Sequence, residues 1–300
     1  MVNAFSFCLF GSVGAINGRV ENDGGLVTTH VCCIPGGYYD GLEENIKLIE
    51  KHFPGWRVYV YLADDVPEWF ETFLCTTYPS VTSRRTGTLG YETTVHRFFA
   101  ADEPDVDVVF FRDADSRVHW RDRWTIQTFL SQSESLAHIV RDHPQHTSRI
   151  AAGMWGVRKG LLKTPLRTLY ASWEPVHSGS GDVSDVMGYG IDQNFLESVV
   201  YQLLKPSVLI THSNGSVVYG ERGVEIPFPW STEMHVGRVE TKTITDNFWT
   251  RERDTPPPLL WQVVIPPPFT PPVIAPPQVQ VSGPRNFVWH RLMNPRAPAV

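Results

Sequence analysis

The most constraining stretch of this chain is Val106 to Phe111, β-branched or aromatic at every position but Asp107, which ends abruptly in Arg112-Asp113-Ala114-Asp115-Ser116-Arg117. A strand that is apolar on both of its alternating faces has to be covered on both sides. That is the condition of a strand inside a parallel sheet flanked by helices. The surrounding pattern agrees. Ala4 to Phe10 reads as a buried first strand, Leu42, Ile46, Ile49 and Phe53 recur at helical spacing up to Pro54-Gly55, and Val58 to Leu62 reads as the next strand. Glu68 to Tyr78 and Thr93 to Ala101 read as further helices, Leu136 to Val140 as a strand, and Ile150 to Val157 as a strand-like segment carrying small residues. Ile191, Phe195, Val199 and Leu203 trace one helical face after Gly188-Tyr189-Gly190, and Val208 to Thr211 reads as a last short strand. The expected class is α/β, with a Rossmann-like, mostly parallel sheet flanked by helices.

With 300 residues and 42% hydrophobic side chains the chain can bury a full core. Its 26 basic against 32 acidic side chains, a formal net charge of −6, argue against a surface that tracks a nucleic-acid backbone. An anionic substrate then needs a metal ion or a local arginine. The four cysteines fall in neither a metal-ligand nor a disulfide pattern, which points to a reducing compartment. No apolar run approaches the roughly 20 residues of a transmembrane helix, and Met1 to Gly14 lacks the marks of a secretory peptide, so a cytoplasmic location is expected. Beyond Arg253 lie more than half of the 24 prolines, in runs such as Pro256-Pro257-Pro258. Such a tail favours extended backbone over a core, so the expected division is a globular domain over 1–250 and a proline-rich tail over 251–300. Gly11 to Gly37 is glycine-rich and longer than an ordinary connection.

Asp113 and Asp115 carry the strongest chemical signal. Residues two apart on extended backbone point the same way, so both carboxylates can face one divalent cation at the carboxyl edge of the sheet, where open α/β sheets bind ligands. Oxygen ligands suit Mg²⁺ or Mn²⁺, which take one or two carboxylates and complete their shell with substrate phosphates. The same pattern also fits a strand-end cap at Asp113 and a solvated Asp115. Asp192, near the start of a helix, fits an N-terminal cap or a general base. His138, His143 and His146 with Asp142 match no standard zinc spacing. Gly153 allows close backbone approach, and Trp155 offers either an aromatic platform or a core residue. Tyr38 and Tyr39 fit either a nucleoside stack or a loop anchor.

Four segments in order, Phe111 to Arg117, Arg141-Asp142-His143-Pro144 with His146, Gly153-Met154-Trp155-Gly156, and Tyr189-Gly190-Ile191-Asp192-Gln193-Asn194-Phe195-Leu196, resemble a group of bacterial and large-virus glycosyltransferases of the A-type fold. Pro54-Gly55-Trp56 and His96-Arg97-Phe98 resemble it too, and the likeness covers about Phe5 to Pro229. The resemblance implies a UDP- or GDP-linked sugar donor, Mn²⁺ or Mg²⁺ on Asp113 and Asp115, and transfer to a hydroxyl of a glycan or glycoprotein. It places Arg97 near the donor, Asp142 and His143 on sugar hydroxyls, Gly153 and Trp155 at the sugar pocket, and His212 as a further metal ligand. In an inverting transfer Asp192 would be the base. The long Gly11 to Gly37 segment and the proline tail depart from the group. Two other classes share features of the chain: a sugar-phosphate nucleotidyltransferase, and a proline-rich adaptor without activity. Arg19 is the single basic residue between Gly11 and Gly25, which favours sugar transfer over nucleotide transfer.

Overall fold

The structure is a computed structural model that describes residues 2–11, 20–22, 25–27, 38–177, 190–214, 219–227 and 235–239. The proline-rich tail, Arg19, and Gly188 and Tyr189 lie outside the described residues.

Eight strands form one sheet in the order β10-β9-β7-β8-β6-β1-β4-β5. They are β1 (Val2–Leu9), β4 (Arg57–Leu62), β5 (Val81–Arg85), β6 (Val106–Phe111), β7 (Ala137–Arg141), β8 (Trp155–Arg158), β9 (Leu209–Ser213) and β10 (Arg222–Glu225). A separate antiparallel hairpin, β2 (Val20–Asn22) with β3 (Gly25–Val27), lies within the Gly11 to Gly37 segment. In the main sheet β8 alone runs against its neighbours β6 and β7, and all other pairings are parallel. The expected mixed α/β class with a mostly parallel sheet is what the chain adopts.

Alternation along β6 sends Val108 and Phe110 to one face and Val109 and Phe111 to the other. On the first face they meet α1 (Tyr38–His52), α2 (Glu68–Thr77) and α4 (Trp120–Leu130), through Leu42, Ile46, Phe70 and Trp124 among others. On the second they meet α3 (Thr93–His96) with its 3₁₀ continuation Arg97–Asp102, α5 (Leu166–His177) and α6 (Ile191–Phe195), through Phe98, Tyr170 and Phe195. The helix of α6 continues through a π-helical turn, Leu196–Val200, into α7 (Tyr201–Leu203). Each fully buried aromatic on these faces contributes about 1.5–3 kcal/mol of transfer free energy, so the doubly covered sheet is the main source of stability. No described helix is long and apolar enough to cross a membrane.

Several elements differ from expectation. The strand at Val208 to Thr211 is not the last, because β10 pairs beside it as an edge strand. Thr93 to Ala101 is one short α-turn followed by 3₁₀ backbone rather than a single helix. The regular strand in Ile150 to Val157 starts only at Trp155. Helix α4 carries no amphipathic pattern because it is buried all round: Arg121, Asp122, Arg123 and Gln127 are as enclosed as Trp124. Its charges are matched internally, Arg112 with Asp122 at 2.9 Å and Arg121 with Asp142 at 2.5 Å.

Candidate active site at the carboxyl edge

Strands β1, β4, β6, β7 and β9 all end at one edge of the sheet, and the reversed strand β8 begins there. The loop after β6 carries Asp113 and Asp115, and the residue two before β8 is Gly153. The organising group is Arg97, at the first residue of the 3₁₀ turn and only 3% exposed. One of its terminal nitrogens, Nη1, is ion-paired with Asp113 Oδ1, and the other, Nη2, donates to Asp192 Oδ2 at 2.5 Å. Its backbone carbonyl accepts the Ser6 hydroxyl at 2.7 Å, which fixes the turn to β1. Burial works against the guanidinium charge, but Asp113, Cys8 and Asp192 together raise its pKa, so it stays protonated.

Asp192 sits in the first turn of α6 and also accepts the Gln193 N–H through Oδ1 at 2.8 Å, while the N-cap position itself is Gly190 and carries no side-chain cap. Burial raises its pKa, Arg97 pulls it back, and Asp113 raises it again. Asp115 is pushed up to about 6, first by burial and then by the charge of Asp113. Two carboxylates are therefore crowded enough to resist joint ionisation.

Gly153 is required by this geometry. A β-carbon there would fall on the Asp113 carboxylate, far closer than real atoms approach. A Gly153→Ala variant is expected to lose about 1–3 kcal/mol, the usual range for overpacking. Urea unfolding of Gly153→Ala in a parent and in an Asp113→Ala background checks this, because the loss should disappear once the carboxylate is gone. An equal loss in both backgrounds would place the strain elsewhere.

Gln193 was not singled out by sequence. Its Nε2 donates to the Ile150 carbonyl at 2.5 Å and its Oε1 accepts the Ala152 N–H at 3.1 Å, locking the approach to Gly153 onto α6. Its position beside Asp192 was the only signal. Cys8 was also missed: it faces the site from β1, with Sγ 3.8 Å from Arg97 Nη1, and burial pushes the thiol up to about 12.

Three predicted residues are placed elsewhere. Trp155 is fully buried in the core, its ring 4.4 Å from that of Phe111, so it presents no platform to a sugar. Asp142 is fully buried, held by Arg121 Nε and Nη2 at 2.6 and 2.5 Å, and accepts the Val236 N–H at 2.9 Å. Burial alone would raise its pKa, but Arg121 holds it below the usual carboxylate range, and with no exposed surface it presents no oxygen to a sugar hydroxyl. His212 lies on β9, three strands from β6, or about 14 Å at the usual strand spacing. Its Nδ1 is 2.8 Å from His138 Nε2 inside the core, so it does not join Asp113 and Asp115. Tyr39 is likewise buried, donating its hydroxyl to the Gly11 carbonyl at 2.5 Å, and is not available for stacking. Arg112 and Arg117 pair with Asp122 and Glu44 rather than with the two acids they flank. His143 stays at the edge, half-buried among other histidines.

The residues present fit a hard divalent cation of the Mg²⁺ or Mn²⁺ type. Asp113 and Asp115 supply two oxygen donors whose crowded charge a cation would relieve. Among the described residues no group of three or more His, Cys, Asp or Glu side chains could hold a metal. Two aspartates are the donor set of an ion that completes its shell with water and further oxygen ligands.

No family model and no curated protein sequence matches the chain. Among solved structures, it is similar to a glycosyltransferase involved in the glycosylation of the major capsid of PBCV-1, with 13% identity over 72% of this chain and 84% of that one and a TM-score of 0.42. It is also similar to 4-diphosphocytidyl-2C-methyl-D-erythritolsynthase from Anaerococcus prevotii DSM 20548, with 11% identity over 73% and 88% and a TM-score of 0.39. Residues 1–349 of S. aureus TarS match at 12% identity over 54% and 48%, with a TM-score of 0.36. At these identities and scores the likeness carries neither an activity nor a substrate to this chain.

Proposed function

We propose that this protein is a divalent-cation-dependent glycosyltransferase that moves a sugar from a UDP- or GDP-linked donor to a hydroxyl of a glycan or glycoprotein. The observation that carries the reading is the double ion pair of Arg97, which draws together an acid at the end of β6 and an acid at the start of α6 beside a second, charge-crowded aspartate. In this reading Asp113 and Asp115 hold the cation, which when bound offsets the charge growing on the departing nucleoside diphosphate. Arg97 keeps Asp113 and Asp192 in fixed relation and favours negative charge at that end of the site. Asp192, with its pKa raised by burial, takes the proton of the acceptor hydroxyl as that oxygen bonds to the anomeric carbon and the bond from carbon to phosphate oxygen breaks.

The purified protein, given a panel of nucleotide sugars with Mn²⁺ and an acceptor glycan, is expected to release nucleoside diphosphate. Asp113→Asn with Asp115→Asn should lower that release by at least about 100-fold, the scale of losing electrostatic stabilisation of a leaving group. It should also abolish the Mn²⁺-dependent rise in melting temperature given by nucleoside diphosphate. Pyrophosphate release from a nucleoside triphosphate and sugar phosphate would instead identify a nucleotidyltransferase. No turnover of any donor, or an undiminished thermal shift in the double variant, would overturn the proposal.

A further inference from the structure

Residues 235–239 lie across the loops of the candidate site and are held by four contacts. The His235 carbonyl lies 3.3 Å from His119 Nε2, and the Val236 N–H donates to Asp142 Oδ2 at 2.9 Å. Gly237, with φ of 81°, packs so closely on the Met154 side chain that a β-carbon would not fit. Val239 pairs with Ser116 in an isolated antiparallel bridge. Ser116 belongs to the loop of Asp113 and Asp115, and Met154 follows Gly153, so this short segment ties together both walls of the site.

Three imidazoles meet where the segment begins. The His235 ring lies 4.6 Å from that of His143 and 5.5 Å from that of His146, and the latter two are 5.5 Å apart. Neutral rings pack well at these distances, whereas two imidazolium ions so close would repel. Among the described residues the other ionisable groups near the cluster are His119, Arg121 and Asp142, with Asp122 behind His119 and Arg238 on the segment itself. Among the described residues the anions beside the cluster are Asp142 and Asp122, and Asp142 already serves Arg121 twice and the Val236 N–H. Asp122 is engaged by Arg112.

We propose that His143, His146 and His235 form a proton-operated latch: neutral, they hold residues 235–239 across the candidate site, and when two of them are protonated they release that segment. The direction agrees with His146, which burial first and His235 second push down to about 4. A group held neutral in the closed form takes its proton in the released form. Release therefore grows as pH falls below the ordinary histidine value of 6.5 and levels off near 4. The inference does not depend on which reaction the site performs.

Hydrogen–deuterium exchange of the Val236 amide, corrected for the intrinsic effect of pH, tests this, with the amides of β1 and β6 as the reference for global unfolding. Between pH 7 and pH 5 protection of Val236 is expected to fall by at least about tenfold while staying below that of β1 and β6 at each pH, so that its exchange reports local release and not the fall in global stability. A His146→Gln and His235→Gln variant should show less than about a threefold fall, because glutamine cannot charge. Should that variant already be open at pH 7, His143→Gln replaces it under the same criteria. Constant protection in the parent, an equal fall in the variant, or a fall only in step with β1 and β6 would each overturn the latch.

Discussion

An Arg97→Met variant is expected to be less stable by about 3 kcal/mol and to lose donor turnover, because it leaves a buried carboxylate without its counter-charge. The two acids it abandons are not equivalent. Asp113 is 43% exposed at its side chain and can be rehydrated, whereas Asp192 is 13% exposed and cannot, so the cost falls on α6. Arg97→Met combined with Asp192→Asn should then recover at least half of the stability while staying inactive. Losing Arg97 also removes what holds the Asp192 pKa down, so that pKa rises further above its unfolded value. Stability from a group of this kind is present at low pH and lost as pH rises through the folded pKa. The deficit of Arg97→Met against the parent should therefore narrow as pH falls from 7 towards 5. Urea unfolding at several pH values measures all of this, and a deficit that is constant with pH and untouched by Asp192→Asn would mean that packing, not charge, accounts for Arg97.

The parent protein should itself lose about 4 kcal/mol between pH 7 and pH 5, a large share of the 5–15 kcal/mol that domains typically possess. The cause is the buried imidazole pair of His138 and His212, both without exposed surface, hydrogen-bonded to each other at 2.8 Å and enclosed by Phe129 and Trp124. Burial pushes His212 down to about 3 and His138 well below its ordinary value. Both stay neutral in the folded chain but protonate near 6.5 once unfolded, so stability falls as pH drops below 6.5, by up to about 1.4 kcal/mol per histidine and pH unit. His119, lowered to about 4 by burial, acts in the same direction. Asp115, raised to about 6 by burial and by Asp113, acts in the opposite one and offsets part of what His119 adds. In a His138→Gln and His212→Asn variant most of that acid loss should disappear, as read from denaturant midpoints across the range. An unchanged slope would assign the acid sensitivity to other groups.

How much was legible in the sequence follows from how local each signal is. Strands β1, β4, β6 and β7 and helices α1 and α2 stand out because their apolar residues recur with the period of the element and each buries a defined face. Edge strands β5 and β10 are half polar and short, and they exist because a neighbour offers a free edge, which no local pattern announces. Helix α4 was invisible for the opposite reason: enclosed on all sides, its charges are matched by Arg112 and Asp142 from other elements, which erases the amphipathic contrast. That omission explains the misplacing of Asp142, whose partner Arg121 sits on the helix that could not be read. Arg97 was legible only through the resemblance, which places it near the donor, and its pairing with Asp113 had no local mark. Its second hold, on Asp192 and 95 residues away in sequence, needed the fold. His235 carried no sequence mark at all, because its neighbours His143 and His146 are brought to it by the sheet edge.

The reversed direction of β8 has a consequence for how such a site could change over generations. Every other strand reaching this edge delivers its functional loop after the strand has been laid down, so altering the loop disturbs the path to whatever comes next. Around β8 the variable residues come first and the strand then seals them in from behind. Lengthening or shortening the turn between Pro144 and Ala152 would alter the carboxyl edge of the sheet while Trp155 to Arg158 keeps its place between β6 and β7. Changes to this side of the edge would leave the acids where they are.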